Sequence, residues 1–309
     1  MAGRRRETEM DKQDLWVLDG GMGRELARRG APFRQPEWSA LALMEAPETV
    51  REVHQAYATS GARVITTNSY ALVPFHIGEA RFAAEGERLA ALAGQLAREV
   101  ADEQPGSVQV AGSLPPLFGS YRADLFDASR VSELAAPLIR ALSPQVDLWL
   151  AETMSLIAEP LALKALLPQD GKPFWVSFTL EDEAPGSEPT LRSGERVADA
   201  VTALASAGVD AILFNCCQPE VIEGALKVAG AGLQALGRSD IRLGAYANAF
   251  PPQPKEATAN DGLDEIRTDL GPLDYLGWAE RWRAAGANLI GGCCGIGPEH
   301  IEALASRLR

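Results

Sequence analysis

Residues 195–217 read ERVADAVTALASAGVDAILFNCC, and this stretch decides the fold because a helix, a stop and a strand follow one another in it. Its first half, 195–207, has the Ala-rich and charged composition of a helix, which Gly208 then ends. Residues 210–215 form a short, nearly continuous apolar run, typical of a strand buried on both faces of a parallel sheet. The stretch therefore predicts a helix-to-strand unit that leads into two cysteines, Cys216 and Cys217.

The same unit recurs along the chain, and Gly61 and Gly286 precede their strands as Gly208 does. Eight strands are predicted, at residues 15–19, 62–68, 108–112, 146–152, 174–180, 210–215, 241–247 and 287–291. Helical patterns are predicted at residues 48–60, 79–103, 131–142, 156–167, 195–207, 219–236, 273–285 and 298–308. Eight alternations of strand and helix predict an α/β protein with the (β/α)8 TIM-barrel fold.

An open, doubly wound sheet is the alternative architecture. A phosphate-binding G-x-G-x-x-G motif after the first strand would favour it, but Gly20, Gly21 and Gly23 occur there as GGMG. No charge run, repeat or low-complexity block divides the chain. We therefore expect a single barrel domain over residues 14–309, preceded by a disordered polar tail over residues 1–13, whose arginines lack the apolar region of a secretory signal.

Composition narrows the class of partner. The chain has 29 Lys and Arg against 42 Asp and Glu, a net charge of −13, which argues against binding to nucleic acid or to anionic lipid. No run approaches the length of a transmembrane helix. Four cysteines are too few for a disulfide scaffold. We expect a cytoplasmic protein that acts on small molecules, and the sequence leaves a homo-oligomer open.

Barrel enzymes carry their chemistry where the strands end. Polar and thiol side chains collect at these predicted ends: Asp19, Thr66, Tyr70, Glu152, Asn215, Cys216, Asn248, Cys293 and Cys294. The longest irregular stretches, 181–194 and 250–271, also follow strands. We expect these two loops to lie on the catalytic rim and to cover the substrate.

All four cysteines follow the sixth and eighth predicted strands. Thiolates favour Zn²⁺, and catalytic zinc takes three protein ligands and keeps one position open. A glycine-flanked turn such as 291–295 can bring Cys293 and Cys294 to one metal ion. The alternatives are a strained disulfide between these two neighbours or four buried, inert thiols, and position alone does not separate metal binding from an inert core.

Six motifs in this order resemble the zinc-dependent homocysteine S-methyltransferase family. They are Asp19-Gly-Gly-Met-Gly-Arg-Glu-Leu, Trp38-Ser39, Val64-Ile-Thr-Thr-Asn-Ser-Tyr70, Ala151-Glu152-Thr153, Phe214-Asn215-Cys216 and Gly291-Gly-Cys-Cys-Gly295. The resemblance covers nearly the whole chain from about Leu15. It implies a (β/α)8 barrel, in agreement with the strand count.

Residue by residue, the resemblance implies a zinc ion held by Cys216, Cys293 and Cys294, with Cys217 lying one residue past the family position. Asp19 and Glu152 match the acidic residues near the amino group of homocysteine. The other substrate-binding positions implied by the resemblance are Thr66, Asn215 and Asn248.

For the methyl donor, the resemblance implies Trp38 and Tyr70, since aromatic faces hold cations. Phe118 or Tyr121 could join them, although ordinary packing at the rim is the favoured interpretation of these two. Thr153 stands where betaine-specific members have an aromatic residue, which argues against betaine. The segment from Tyr246 to Phe250 also departs from the family pattern.

The predicted function is transfer of a methyl group from a small onium donor to the zinc-bound thiolate of L-homocysteine, giving methionine. S-Methylmethionine or S-adenosylmethionine is favoured over betaine as the donor. No histidine base is needed, so His54 and His300 are expected to be structural. The alternatives are the same chemistry on another thiol or a selenol such as selenocysteine, or a catalytically silent metal-binding barrel.

Overall fold

The computed structural model describes residues 14–254, 257–260, 262 and 265–308, and the predicted N-terminal tail lies outside this range. Eight parallel strands form one sheet. They are β1 (Trp16–Val17), β2 (Val64–Thr66), β3 (Gln109–Leu114), β4 (Leu148–Met154), β5 (Phe174–Phe178), β6 (Ala211–Asn215), β7 (Arg242–Tyr246) and β8 (Leu289–Ile290). All eight predicted strands are present in their predicted order, although most are shorter than predicted.

The sheet closes on itself between its first and second strands. Consecutive strands pair from β2 to β8, and β8 then pairs with β1. A parallel bridge between Leu18 and Val64 completes the ring, supported by the amide of Asp19 on the Val64 carbonyl at 3.0 Å. This closure confirms the (β/α)8 barrel and excludes the open doubly wound sheet.

Helices connect the strands and cover the outside of the barrel. They are α1 (Met22–Arg28), α2 (Ser39–Glu45), α3 (Pro47–Thr59), α4 (Pro74–Ile77), α5 (Glu79–Glu103), α6 (Val131–Leu142), α7 (Ala158–Leu166), α8 (Val197–Ala207), α9 (Pro219–Ala235), α10 (Pro272–Ala284) and α11 (Pro298–Arg307). The short helices α1, α2 and α4 were not predicted, and they lie in the connections after β1 and β2. Within the described residues, no helix is long and apolar enough to cross a membrane.

Side chains alternate between two separate apolar cores, because successive strand residues point to opposite faces. The larger core lies between strands and helices and includes Leu43, Val176, Phe178 and Trp282. The smaller core fills the barrel interior. Its members are Trp16, Leu18, Val64, Ala111, Leu148, Leu150, Trp175, Ala211, Leu213, Tyr246 and Leu289.

Aromatic and cationic side chains fill the N-terminal end of the barrel. The rings of Trp16 and Trp175 lie 6.2 Å apart. The guanidinium groups of Arg242 and Arg63 lie 4.4 and 5.1 Å from the centroid of Trp16. This packing leaves the opposite, C-terminal end as the open mouth of the barrel.

Candidate active site

A cavity of about 190 Å³ opens at the C-terminal mouth of the barrel. Residues that follow β1, β2, β3, β6, β7 and β8 line it, together with residues at the end of β4. The cavity is therefore built from segments far apart in the sequence, as barrel active sites are.

Three cysteine sulfurs meet at this cavity. The Sγ atoms of Cys216, Cys293 and Cys294 all lie within 4.8 Å of one another. Among the described residues, no other group of three or more His, Cys, Asp or Glu side chains converges in this way. Cys217 is fully buried and packs into the core between strands and helices, so it takes no part in the cluster.

The backbone turns sharply after β6 to bring Cys216 into the cavity. Cys216 has φ of +53°, a left-handed conformation that non-glycine residues rarely adopt. Its carbonyl oxygen accepts hydrogen bonds from the hydroxyl groups of Thr179 at 3.2 Å and Tyr121 at 3.2 Å. These contacts hold the turn that sends Cys216 inward while Cys217 points to the core.

The segment after β8 approaches the segment after β1 backbone to backbone. A Cβ atom on Gly21 would lie 2.5 Å from the carbonyl oxygen of Cys293, and one on Gly291 would lie 2.6 Å from Cβ of Leu18. Glycine is needed at both positions for this approach. The amide of Cys293 also donates to the Ala247 carbonyl at 2.9 Å, which fixes the cysteine pair against the end of β7.

The four cysteines are free thiols, so there is no disulfide between Cys293 and Cys294. Hydrogen bonds from the Cys293 and Cys294 thiols lower the pKa of Cys216 well below its usual range. The hydrogen bond with Cys216 raises the pKa of both Cys293 and Cys294. The three thiols are thus coupled to one another through hydrogen bonds.

The donor set fits a zinc ion. A tetrahedral site with Zn–S distances of about 2.3 Å places its sulfurs about 3.8 Å apart, which the observed cluster can reach with small adjustments. Three thiolates from the protein would leave one of the four positions of a zinc ion for a further ligand. The arrangement matches a site that binds a substrate better than a closed structural site.

Two carboxylates face the same cavity. Asp19 accepts the amide of Thr66 at 2.6 Å and its hydroxyl at 3.1 Å. Glu152 accepts a short hydrogen bond from Ser113 and one from the Tyr246 hydroxyl at 3.4 Å. Burial raises the pKa of Asp19 to about 8 and that of Glu152 to about 7. A cation bound beside these carboxyl groups would lower both pKa values, so that both groups ionise near neutral pH.

An aromatic wall lies on another side of the cavity. Trp38, Tyr70, Phe33 and His76 all line it. The Trp38 indole donates to the side chain of Asn260 at 2.9 Å, and Phe33 packs edge-on against Trp38 at 5.6 Å. Burial lowers the pKa of His76 to about 4, so this imidazole is neutral at physiological pH. The wall therefore offers apolar and aromatic faces without a positive charge on His76.

Backbone strain concentrates at this mouth. Within the described ranges, four non-glycine residues have positive φ: Trp38, Tyr121, Thr153 and Cys216. All four line the cavity. Strained conformations of this kind persist where the surrounding structure over-determines them, and they cluster at functional sites.

Residues 16–308 match the sequence model of a family described as homocysteine S-methyltransferase. The chain belongs to the homocysteine S-methyltransferase family. It is thus a methyltransferase, and the alternative of a catalytically silent barrel is set aside.

Individual homocysteine S-methyltransferases are similar over nearly the full length. The homocysteine S-methyltransferase of Escherichia coli is 34% identical over 96% of each chain. The metallated form of the E. coli homocysteine methyltransferase MmuM superposes with a TM-score of 0.75 at 33% identity, covering 96% of this chain and 98% of that one. A selenocysteine Se-methyltransferase of Brassica oleracea is 27% identical over 94% of this chain and 88% of its own.

Eight of the residues predicted for the site line the cavity: Asp19, Trp38, Thr66, Tyr70, Glu152, Cys216, Cys293 and Cys294. Asn215 and Asn248 are not among the lining residues. Asn215 is fully buried, and its amide bonds Thr153 at 2.8 Å and Ser177 at 2.6 Å. The Asn248 amide faces the Cys216 sulfur at 3.9 Å. Both asparagines therefore support other site residues from behind.

Sequence reasoning missed three side chains that complete the site. Ser113 and Tyr246 bind Glu152, and the Tyr121 hydroxyl lies 3.1 Å from the Cys216 sulfur. The expectation that Tyr121 is ordinary rim packing is wrong, whereas Phe118 does pack against Phe126, at 5.8 Å. No local pattern marks Tyr121, because its partner is 95 residues away in the sequence.

The two predicted rim loops differ in their placement. Gln253, Thr258, Ala259 and Gly262 of the loop after β7 line the cavity, which confirms that the described part of this loop lies on the rim, and that it covers the substrate stays a prediction. The loop after β5 instead places Asp182 and Arg192 in a buried ion pair behind Tyr121. His54 is fully buried in α3, and His300 bonds the Gly297 amide at the start of α11, as expected for structural residues.

Proposed function

We propose that this methyltransferase moves a methyl group from a small onium donor to the sulfur of L-homocysteine, and that Cys216, Cys293 and Cys294 bind Zn²⁺. One observation carries the proposal: three sulfurs within 4.8 Å of one another share a cavity with two carboxylates. This pairing suits a substrate with a thiol at one end and an ammonium group at the other.

The carboxylates would hold the amino acid. The α-ammonium group of homocysteine would pair with Asp19 and Glu152, and burial makes such charge-assisted contacts stronger than they are in water. Thr66, Ser113 and Tyr246 fix the two carboxylates in place by hydrogen bonds. The homocysteine side chain can then extend toward the cysteine cluster.

The cysteine cluster would hold the reacting sulfur. Zinc, when bound, supplies a Lewis acid that lowers the pKa of the substrate thiol, so that its proton is lost to solvent. The methyl carbon forms a bond to the homocysteine sulfur as its bond to the donor heteroatom breaks, and the electron pair of the broken bond stays on the donor. The products are methionine and the neutral demethylated donor.

The aromatic wall would hold the donor. An onium group is a cation, which Trp38 and Tyr70 can stabilise through their ring faces. The neutral state of His76 removes a repulsive charge from this wall. A sulfonium donor, S-methylmethionine or S-adenosylmethionine, is proposed over betaine because Thr153 stands where betaine-specific members of the family have an aromatic residue.

A selenol is the second candidate acceptor, favoured by the similarity to a selenocysteine Se-methyltransferase. Selenocysteine carries the same ammonium group as homocysteine but has a shorter side chain. Direct competition between the two acceptors at equal concentration distinguishes them, because the ratio of methylated products equals the ratio of kcat/KM values.

A donor-by-acceptor screen tests the proposal. Purified protein is analysed for metal content and incubated with each of S-methylmethionine, S-adenosylmethionine and betaine, against homocysteine and selenocysteine. We expect one zinc per chain and methionine formation with a sulfonium donor, detected by product mass. Absence of bound zinc, or equal rates with betaine, would contradict the proposal.

A cytoplasmic location stays a prediction, which the four free thiols support.

A further inference from the structure

Tyr121 is aimed at one sulfur of the cysteine cluster. Its hydroxyl lies 3.1 Å from Sγ of Cys216 and 3.2 Å from the carbonyl oxygen of the same residue. A cysteine that binds a metal ion has no proton to give, so any hydrogen bond to that sulfur uses the single hydroxyl proton of Tyr121, which the sulfur shares with the carbonyl oxygen. Neither Cys293 nor Cys294 has a tyrosine hydroxyl contact among the hydrogen bonds of the described residues.

A buried cation holds the ring of Tyr121 from behind. The Arg192 guanidinium lies 4.8 Å from the centroid of that ring. Arg192 pairs with Asp182 at 3.2 Å, and their side chains are only 2% and 1% exposed. Burying an ion pair so completely is costly unless further hydrogen bonds compensate, so this pair is an unusual element for a loop.

The ion pair obtains these further hydrogen bonds from two other loops at the mouth. Asp182 accepts the amides of Gln218 at 3.0 Å and Gln253 at 3.1 Å, which follow β6 and β7. Arg192 donates to the carbonyl oxygens of Gln253, at 3.2 Å, and Pro254. The segment that carries Tyr121 is thus locked to the segment that carries Cys216.

The backbone of Tyr121 supports the same interpretation. Its φ of +69° is a conformation that a bulky residue rarely adopts. Strained backbone conformations persist where the surrounding structure holds them, and they cluster at functional sites. Here the strained backbone directs the Tyr121 side chain to the Cys216 sulfur.

We propose that Tyr121 is a positioning residue of the metal centre, held on the Cys216 sulfur by the buried Asp182–Arg192 pair. The inference rests on the proposed zinc site. The hydroxyl withdraws electron density from one of the three sulfurs and offsets part of the negative charge of the cluster. Partners of metal ligands commonly change metal affinity by about 10–100-fold, so the contribution is measurable.

The test uses the intact chain loaded with Co²⁺, whose sulfur-to-metal charge-transfer band reports the electron density on the thiolates. In Tyr121→Phe we expect this band to move to lower energy and Co²⁺ release to a chelator to be about tenfold faster. Tyr246→Phe is the matched control, because that hydroxyl contacts Glu152 and no sulfur. Its band is expected to coincide with that of the unmutated protein.

Arg192→Lys examines the support behind the tyrosine while keeping the buried charge balanced. It should shift the band in the same direction by a smaller amount, and the double variant should add little to Tyr121→Phe alone. Thermal unfolding confirms that each variant is folded.

The outcomes separate the two proposals. An unmutated protein that shows no thiolate-to-cobalt band would overturn the zinc site itself. A normal band that is unchanged in Tyr121→Phe, with unchanged metal release, would overturn the role of Tyr121 alone. Additive shifts in the double variant would contradict the role of Arg192 in holding Tyr121.

Discussion

At its N-terminal end the barrel interior is filled by Trp16 and Trp175, whereas at its C-terminal end the same strands lead into thiols and carboxylates around a cavity. Trp16 is 5% exposed and packs with Leu148, Leu213 and Leu289. Four strained residues, Trp38, Tyr121, Thr153 and Cys216, stand at the other end. The two ends share one scaffold, and the comparison indicates that stability comes mainly from the closed end, whereas the open end sacrifices stability for geometry.

Removing a cysteine at the open end should have the largest effect. We expect Cys216→Ser to abolish zinc binding and to lower methionine formation by more than 100-fold, since loss of a ligand exceeds the roughly 10–100-fold cost of losing an outer partner. Zinc stoichiometry and the rate of methionine formation check this. The adjacent Cys217→Ala is the matched control, because that buried thiol lies outside the cluster. Zinc retained in Cys216→Ser would contradict the assignment of that ligand.

At the closed end the effect should fall on stability. Trp16→Ala removes the centre of the aromatic packing, so the free energy of unfolding should drop by about 3–5 kcal/mol. Denaturant unfolding measures the loss, and KM for homocysteine should remain near that of the unmutated enzyme. Trp278→Ala, on the partly exposed side of α10 beneath Arg281, should cost much less. A large change in KM for Trp16→Ala would show that the two ends are not independent.

A single carboxylate at the open end should affect substrate binding. Glu152→Gln loses a charged partner of the ammonium group, so KM for homocysteine should rise by about 10–100-fold, as expected for a hydrogen bond to a charged group. Initial-rate kinetics give the value. Glu159→Gln is the matched control, because Glu159 is also buried with its pKa raised to about 7, yet it bonds the Leu117 amide. Equal KM changes in both variants would rule out a specific role for Glu152.

Protonation of Glu152 alone should produce the smallest effect. Burial raises the pKa of Glu152 to about 7 and that of Asp19 to about 8, and protonation removes the charge that an ammonium group needs. Binding should therefore weaken as the pH falls from 8 to 6, by roughly tenfold for a group with a pKa near 7. The inhibition constant of L-methionine, which has the ammonium group but no ionisable thiol, measures this. A flat profile would contradict it, and Glu152→Gln should reduce the slope.

The strand order could be predicted from sequence because buried parallel strands leave continuous apolar runs, as in Ala211–Asn215. The length of β1 could not, since Leu18 and Asp19 already leave the regular pairing to close the barrel and reach the cavity. The helices α1 and α2 were missed because each has only seven residues, too few to show a clear period.

The site was predictable where a residue type itself implies the chemistry. Three thiols and two carboxylates at strand ends lead to the cavity without knowledge of any contact. Asn215 shows the limit: it is the last residue of β6, directly before Cys216, yet its side chain bonds Thr153 and does not line the cavity. Alternation along a strand predicts which way a side chain points only while the strand is regular. Cys216, one residue after Asn215, already has a left-handed backbone conformation.

The shortness of β1 and β8 has a consequence for how the barrel opens. Each strand has two residues, and a single bridge between Leu18 and Val64 closes the ring. Few backbone hydrogen bonds therefore join β1 to its neighbours, and few of its amides are protected from hydrogen exchange. Gly291 and Gly292 separate the cysteine pair from the end of β8, and Cys216 follows β6. An ion bound by all three sulfurs would tie the loop after β8 to the end of β6, a strand with more pairing. The metal centre would then also slow local unfolding where the barrel closes.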